Sequence, residues 1–399
     1  MNLSDPIAAL EIGTTRTTLA IAESLGPGRI SVVAHGDIPS SGVRKSQITD
    51  IGKASVSVAS VLKRIESENG YSIGRAALAV SGPQVRVESY VTQWQVDKTV
   101  TDNDITEIYN RSCDTGLEDD RVMLDLSELG YGLDGLDGIV SPKGMSGRLL
   151  KLRTLVIHGA KARINDAKSA ATAAKLEISD AYFAGRCAAE ATLTPEDKAS
   201  GTLLIDLGGG STSFAAFADG RMIHAGAIGV GGDHITNDIR RAFSLSLSQA
   251  ESVKRHASAV FSQSRTGRID VPSSITSAES PSISMRALDT VVNARVGELL
   301  SVLREELDCA GALHRLTGGI VLTGGGARLQ NIVGLAHGTF GGKVRIGALV
   351  PEIEGLENDE FPAQYATIAG ALLLEQRNSE EQSFLDPIKS IFKKILPHR

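Results

Sequence analysis

IAALEIGTTRTTLAIAE (residues 7–23) and LLIDLGGGSTSFAAF (residues 203–217) carry one pattern twice. Each runs from an apolar strand through an acid, glycine and hydroxyl turn into a second strand. The pattern predicts a β-hairpin whose tip holds phosphate. Glycines let the backbone approach phosphate oxygens, free N–H groups donate to them, and the acid (Glu11, Asp206) faces a hydrated divalent cation. Two such hairpins facing each other would clamp the phosphates of a nucleotide. One glycine cluster alone suits an ordinary tight turn equally well.

A third cluster adds weight. GGIVLTGGGARL (residues 318–329) is another apolar strand ending in Gly324, Gly325 and Gly326, followed by a helical pattern. A strand-to-helix glycine turn suits close packing on a base or ribose. At none of these three glycine turns does GxGxxG or GxxxxGK[ST] occur, so they are neither a dinucleotide fingerprint nor a P-loop.

Two phosphate hairpins followed by a late glycine turn resemble the actin-like ATPase superfamily. GVGGDHITNDIRRAF (residues 229–243) and QAESVKRHASA (residues 249–259) sharpen that to a resemblance to the bacterial cell-division FtsA family. PKGMSGRLL (residues 142–150), IVLTGGGARLQNIVGLA (320–336), VRIG (344–347) and YATIAGALLL (365–374) follow in the family's order. The implied fold is α/β: an actin-like, duplicated ribonuclease H-like body of two lobes with an FtsA-type inserted subdomain. Residues 1–82 and 163–195 would form the first lobe, with a hinge helix near 365–377. Residues 83–162 would be the insertion, 196–237 and 305–364 the second lobe, and 238–304 its small subdomain. The stretch 262–281, rich in Ser, Thr and Arg, reads as a surface loop.

Composition agrees. The 399 residues are enough for more than one core, and 42% apolar with 22% charged content is ordinary for a globular protein. A net charge of −6, with no dominant basic stripe, argues against nucleic acid as the main partner. Cys113, Cys187 and Cys309 are far apart and form neither a disulfide framework nor a metal spacing, which fits a reducing cytoplasm. No signal peptide is expected before the first strand, and no apolar run approaches the ~20 residues of a membrane span.

Strand and helix signals alternate. ISVVAHGDI (residues 30–38) reads as a third strand, residues 51–69 as a helix with Val58, Val61, Leu62 and Ile65 on one face, and AALAVSG (76–82) as a strand. Between residues 85 and 158 strand signals surround one helix beginning near Asp102. A small-residue helix follows over residues 162–173, then ISDAYFAGRCAAEATL (178–193). Its Ala184, Gly185, Ala188 and Ala189, like Gly370 and Ala371 later, permit close helix crossing. The resemblance implies that these two segments form the interdomain hinge.

The resemblance also assigns site residues. Gly13, Thr14 and Thr15 would contact phosphate, as would Gly208, Gly209, Gly210 and Ser211, with Glu11 and Asp206 at the Mg2+ shell through water. Glu11 is one methylene longer than the aspartate common at its place, and Ser213 stands where an aspartate often sits. Glu251 and Lys254, spaced i, i+3, would reach ribose and base; as bare sequence they suit a solvated surface pair equally. Gly324, Gly325 and Gly326 would line adenine. No strong general base stands out: Glu190 is the one acid on the hinge helix and reads as a solvated helix charge. ATP and Mg2+ are therefore expected as ligands, with slow hydrolysis at most.

After a charged linker at residues 378–382 comes SFLDPIKSIFKKILPHR (383–399). Phe384, Leu385, Ile388, Ile391, Phe392, Ile395 and Leu396 form one apolar stripe, flanked by Lys389, Lys393 and Lys394, with Asp386-Pro387 as a start signal. These are the marks of an interfacial membrane helix, or of a terminal helix docked on the protein's own surface. The resemblance favours the first. It further implies self-assembly into filaments and binding of anionic lipids, the FtsZ C-terminal peptide and other division proteins. The expected place is the cytoplasmic face of the inner membrane at the division septum. Arg295 and Glu298, on NARVGELL (293–300), match positions linked to FtsZ contact, though the pair alone suits an i, i+3 ion pair. A PilM-type pilus-assembly adaptor is the alternative within the fold, and a metabolite kinase would need a substrate cleft and catalytic aspartate that are not evident.

Overall fold

The computed structural model describes residues 6–114, 116–259, 266–272 and 282–395, with side chains described as far as residue 380. The two repeated stretches open two sheets of one topology. In the first sheet Ile7–Ile12 pairs antiparallel with Arg16–Gly26, which pairs antiparallel with Arg29–Pro39. On its other side Ile7–Ile12 pairs parallel with Arg75–Val80, and that strand parallel with Glu177–Phe183. In the second sheet Thr202–Leu207 holds the equivalent place. Thr212–Ala218 and Arg221–Ile228 lie on its antiparallel side, with Gly319–Thr323 and Val344–Ile346 on its parallel side. The parallel strands require crossovers, supplied by helix Ile51–Asn69 in the first half and Met285–Cys309 in the second. The expected duplicated two-lobed α/β architecture is thus the one observed.

Local chemistry explains the elements. Ile51–Asn69 starts where the Asp50 carboxylate accepts the Lys53 N–H, and it buries Val58, Val61 and Ile65 at helical spacing. Thr202–Leu207 and Thr212–Ala218 are buried along their whole length, as strands covered on both faces must be. Between Arg75–Val80 and helix Lys161–Ala173 the chain departs into an antiparallel sheet. Its order is Arg86–Gln95, Leu149–Ala160, Arg121–Leu133, Leu136–Ile139. Helix Asp102–Cys113, opened by a capping box between Thr101 and Asp104, lies against this sheet. Ile108, Tyr131, Leu150 and Leu152 give the insertion a small core of its own.

Four expectations are corrected. Ile353–Glu354, placed by sequence in the second lobe, pairs parallel with Arg29–Pro39 at the edge of the first sheet. The edge strand's free backbone groups accept it, and Arg29 bonds Glu354 at 2.9 Å. ISDAYF is strand rather than helix, and the helix proper is Ala184–Thr192. Within 262–281 the described part includes strand Arg268–Asp270, paired antiparallel with Ser282–Ser284; the remainder of that stretch, apart from residues 266–272, lies outside the described residues. Residues 378–382 are helical, not a linker, because one helix runs Ala366–Ile395 and carries on through Asp386 and Pro387. Polar side chains at the start of this stretch and just before it bond to the body. Gln376 donates to Ser24 at 2.8 Å, Arg377 to Glu190 at 2.8 Å and Asn378 to Asp180 at 3.0 Å.

Ala184–Thr192 and Ala366–Ile395 cross with their backbones touching. A Cβ on Gly370 would overlap the carbonyl oxygen of Cys187. Beside the crossing Glu190, 5% exposed, is not a solvated charge. It bonds Arg186 at 3.1 Å, Lys198 at 2.8 Å and Arg377 at 2.8 Å. Burial alone would raise its pKa, but the three cations outweigh burial and hold it at about 2. Replacing Gly370 with valine is expected to lower stability by about 3 kcal/mol, since two packed backbones would have to separate. A urea midpoint equal to that of the wild type would refute the crossing geometry.

Candidate nucleotide-binding site

Both repeated turns close by the same bond. The Gly13 N–H donates to the Arg16 carbonyl at 3.0 Å, and the Gly208 N–H donates to the Ser211 carbonyl at 3.1 Å. The two tips then meet: a Cβ on Gly209 would overlap the Thr15 hydroxyl, and one on Gly210 the Thr14 hydroxyl. No side chain other than hydrogen fits either position, which is why glycine stands there. Helix Gly232–Phe243 begins on the second tip, with the Gly232 N–H donating to Gly208 at 3.0 Å and the Asp233 N–H to Gly209 at 2.8 Å.

Glu11 and Asp206, the last residues but one of their strands, face the same cleft of about 670 Å³, counting its solvent-open part. Its lining includes Thr14, Ser46, Ser81 and Ser211. Burial, with Asp206 adding repulsion, pushes the Glu11 carboxyl up to about 8. Burial pushes Asp206 up to about 6, against the pull of hydrogen bonds from Thr367 and Thr323. Thr367 donates to Oδ2 of Asp206 at 3.0 Å, and Thr323 reaches Oδ1 at 3.5 Å. Two facing carboxylates that resist ionisation fit a hydrated Mg2+, which takes one or two carboxylates and keeps its waters. Among the described residues no cluster of three or more His, Cys, Asp or Glu would hold a metal outright.

Glu251 and Lys254 form a half-exposed pair that is also tied to the second tip. Lys254 bonds Glu251 at 2.7 Å and Thr236 at 2.8 Å, and its Nζ lies 3.4 Å from the Gly232 carbonyl, beside the second tip. In the third cluster, strand Gly319–Thr323 gives way to a short 3-10 turn, Gly325–Arg328. Gly324 backs onto Asp206 and Gly326 onto Leu207, while a Cβ on Gly325 would meet open space. Arg295 joins Asp238 of helix Gly232–Phe243 to Glu298 on its own helix. The tail residues from Phe384 to Ile395 follow the backbone of Ala366–Ile395, and Leu396 lies outside the described residues. Ser46, Ser81, Thr323 and Thr367 were not anticipated. Thr367 had a signal, the one aliphatic hydroxyl in the apolar run YATIAGALLL; the serines had none, because distant segments bring them in.

The family model described as Cell division protein FtsA matches residues 203–370, and that of the SHS2 domain inserted in FTSA matches residues 82–158. The chain belongs to the FtsA family. Cell division protein FtsA of Bacillus subtilis (strain 168) is 27% identical over 386 residues, covering 96% of this chain and 86% of that protein. FtsA of Pseudomonas aeruginosa is 29% identical, covering 92% and 88%. The SHS2 match falls on the inserted antiparallel sheet. Among solved structures, a PilM-PilN type IV pilus biogenesis complex chain aligns with TM-score 0.64 at 16% identity over 93% of this chain and 98% of that one. MreB5 of Spiroplasma citri bound to ADP aligns with TM-score 0.53 at 16% identity over 95% and 98%. At such identities these likenesses establish the actin-like fold.

The carboxylate pair has a consequence for pH. A carboxyl whose folded pKa is raised keeps its proton where the unfolded chain releases it, so stability falls as pH climbs from the ordinary 4.5 of Glu11 to about 8. Glu11→Gln removes that titration. The nucleotide-free variant is expected to melt above the wild type at pH 8, with the gap closing by pH 5. A gap independent of pH would refute the facing-carboxylate geometry.

Proposed function

We propose that this FtsA-family chain is an ATP-binding, polymerising adaptor that tethers FtsZ filaments to the cytoplasmic face of the cell membrane at the division septum. The supporting observation is the course of one helix. Ala366–Ile395 begins with Thr367 bonded to Asp206 and leads into the amphipathic stretch 383–399. A nucleotide cleft and a membrane-seeking tail therefore share an element.

In this reading Gly13, Thr14, Thr15 and Gly208–Ser211 hold the phosphates, and Glu251 with Lys254 holds the ribose side. Gly325 is the member of the third cluster open toward a base. Glu11 and Asp206 hold Mg2+ through its waters, and the ion supplies neutralisation of phosphate charge. Glu190 is committed to three cations, so no water-activating base is provided from the hinge helix and turnover is slow. Binding is spent on setting the lobes for assembly. Support for assembly comes from fold neighbours such as the MamK double helical filament, TM-score 0.53. No helix among the described residues is long and apolar enough to cross a membrane, so attachment rests on the tail's apolar stripe and Lys389, Lys393 and Lys394. One such helix binds weakly and reversibly, and polymerisation multiplies its hold. The FtsZ peptide would dock on residues 238–304. There it has to compete for Arg295 and Glu298, which already bond each other. The PilM-type reading rests on fold likeness alone.

The test is flotation of purified FtsZ on anionic vesicles with ATP and magnesium. FtsZ is expected to float with the full chain and not with a chain ending at Gln382, nor with Ile388→Asp combined with Phe392→Asp. Unchanged flotation by those variants would remove the tail from the mechanism. A chain that floats without carrying FtsZ would move the partner assignment toward the pilus-type adaptor.

A further inference from the structure

Five hydroxyls from four separate segments form one chain of contacts, and four of the five residues line the cleft. The Ser46 N–H donates to Thr14 Oγ1 at 2.7 Å, and Ser46 Oγ lies 2.8 Å from Ser211 Oγ. Ser81 Oγ lies 2.9 Å from Ser211 Oγ and 2.8 Å from Ser213 Oγ. We propose that Ser46 and Ser81, the latter held in place by Ser213, complete with Thr14 and Ser211 a cradle for the terminal phosphate of a nucleoside triphosphate, and that this cradle sets the preference for tri- over diphosphate. The proposal rests on the nucleotide reading above and assigns Ser46 and Ser81, which lie outside both repeats, as phosphate contacts, with Ser213 as the residue that positions Ser81.

Three observations carry it. The cavity lining takes in Thr14, Ser46, Ser81 and Ser211 together with both carboxylates, and not Glu251, Lys254 or Gly325; Ser213 lies behind the lining and reaches the set through Ser81. The hydroxyls therefore sit at the end of the cleft away from the nucleoside side. Each hydroxyl is a rotatable donor without charge, so the set can turn from bonding itself to bonding an oxyanion, beside carboxylates that no further acid crowds. Ser211 and Ser213 are 3% and 1% exposed, where an unbonded hydroxyl is costly, so the chain of bonds keeps them satisfied until a phosphate enters. Finally Ser46 is held with φ at 56° and Lys45 at 50°, at the tip of the two-strand ribbon Val43–Arg44 and Gln47–Ile48. Both positions of such a turn favour glycine or asparagine, so a serine there trades local strain for a hydroxyl in the cleft.

Equilibrium binding of ATP and of ADP, each with magnesium, to the full chain and to Ser46→Gly, Ser81→Ala and Ser213→Ala tests this. Each variant is expected to lose about tenfold in ATP affinity, the scale of one hydrogen bond to a charged group, with ADP affinity within about twofold. Retained ADP affinity shows that the variant is folded. Ser46→Gly is also expected to melt higher without nucleotide, because glycine relieves the turn. An unchanged ratio of ATP to ADP affinity in all three variants overturns the cradle and leaves a latch between the lobes. A wild-type chain that binds neither nucleotide overturns the nucleotide reading itself, and the cradle with it.

Discussion

The hydrogen bond from Thr367 to Asp206 is the contact on which the assembly of the molecule turns. Asp206 belongs to the repeated hairpin of the second sheet, and Thr367 opens the helix that packs beneath the first. A buried carboxylate is costly unless its oxygens are bonded, and here two threonines take both. They aim the acid at the cleft, opposite Glu11, which comes from the other sheet. The burial that makes the two acids reluctant to ionise also makes them a receptive pair for a hydrated cation.

Close backbone approach is the second constraint. Gly370 lies against Cys187, and the glycines of the second hairpin lie against the hydroxyls of the first. Such contacts transmit displacement, since packed backbones have no slack to absorb it. Glu190 adds charge to the same region by gathering Arg186, Lys198 and Arg377, the last from the helix that leads to the tail. Asp125 of the inserted sheet lies 3.9 Å from Arg186, so the insertion reaches the same junction. The inserted sheet and both crossing helices are thus joined through one small set of side chains. In the role proposed above, that arrangement would relate assembly to attachment.

The limits of legibility have physical causes. Periodicity exposed helix 51–69 to the residue, because a one-sided apolar stripe and a capping aspartate are local facts. It failed at ISDAYF, where a strand of mixed polarity precedes small helical residues and the two periods blur. It failed again at residues 378–382, which looked like a solvated linker but continue the helix, with Asn378 bonded to Asp180. Glu190 misled for the same reason. A charge on a helix reads as exposed unless its partners are adjacent in sequence, and Lys198 and Arg377 are not.

The sequence by itself determined the duplicated hairpins, the glycines at their tips and the acids before them, because a short-range pattern repeated in one chain has fewer readings than either copy alone; the fold class and family followed from the resemblance those motifs carry. It also determined the apolar stripe of the tail. The tertiary structure alone decided that Ser46, Ser81, Ser211 and Ser213 form one chain of hydroxyls, that Thr367 holds Asp206, and that Glu190 is a buried hub. Those contacts join residues far apart along the chain, and a hydrogen bond between them depends on packing geometry that no local pattern encodes.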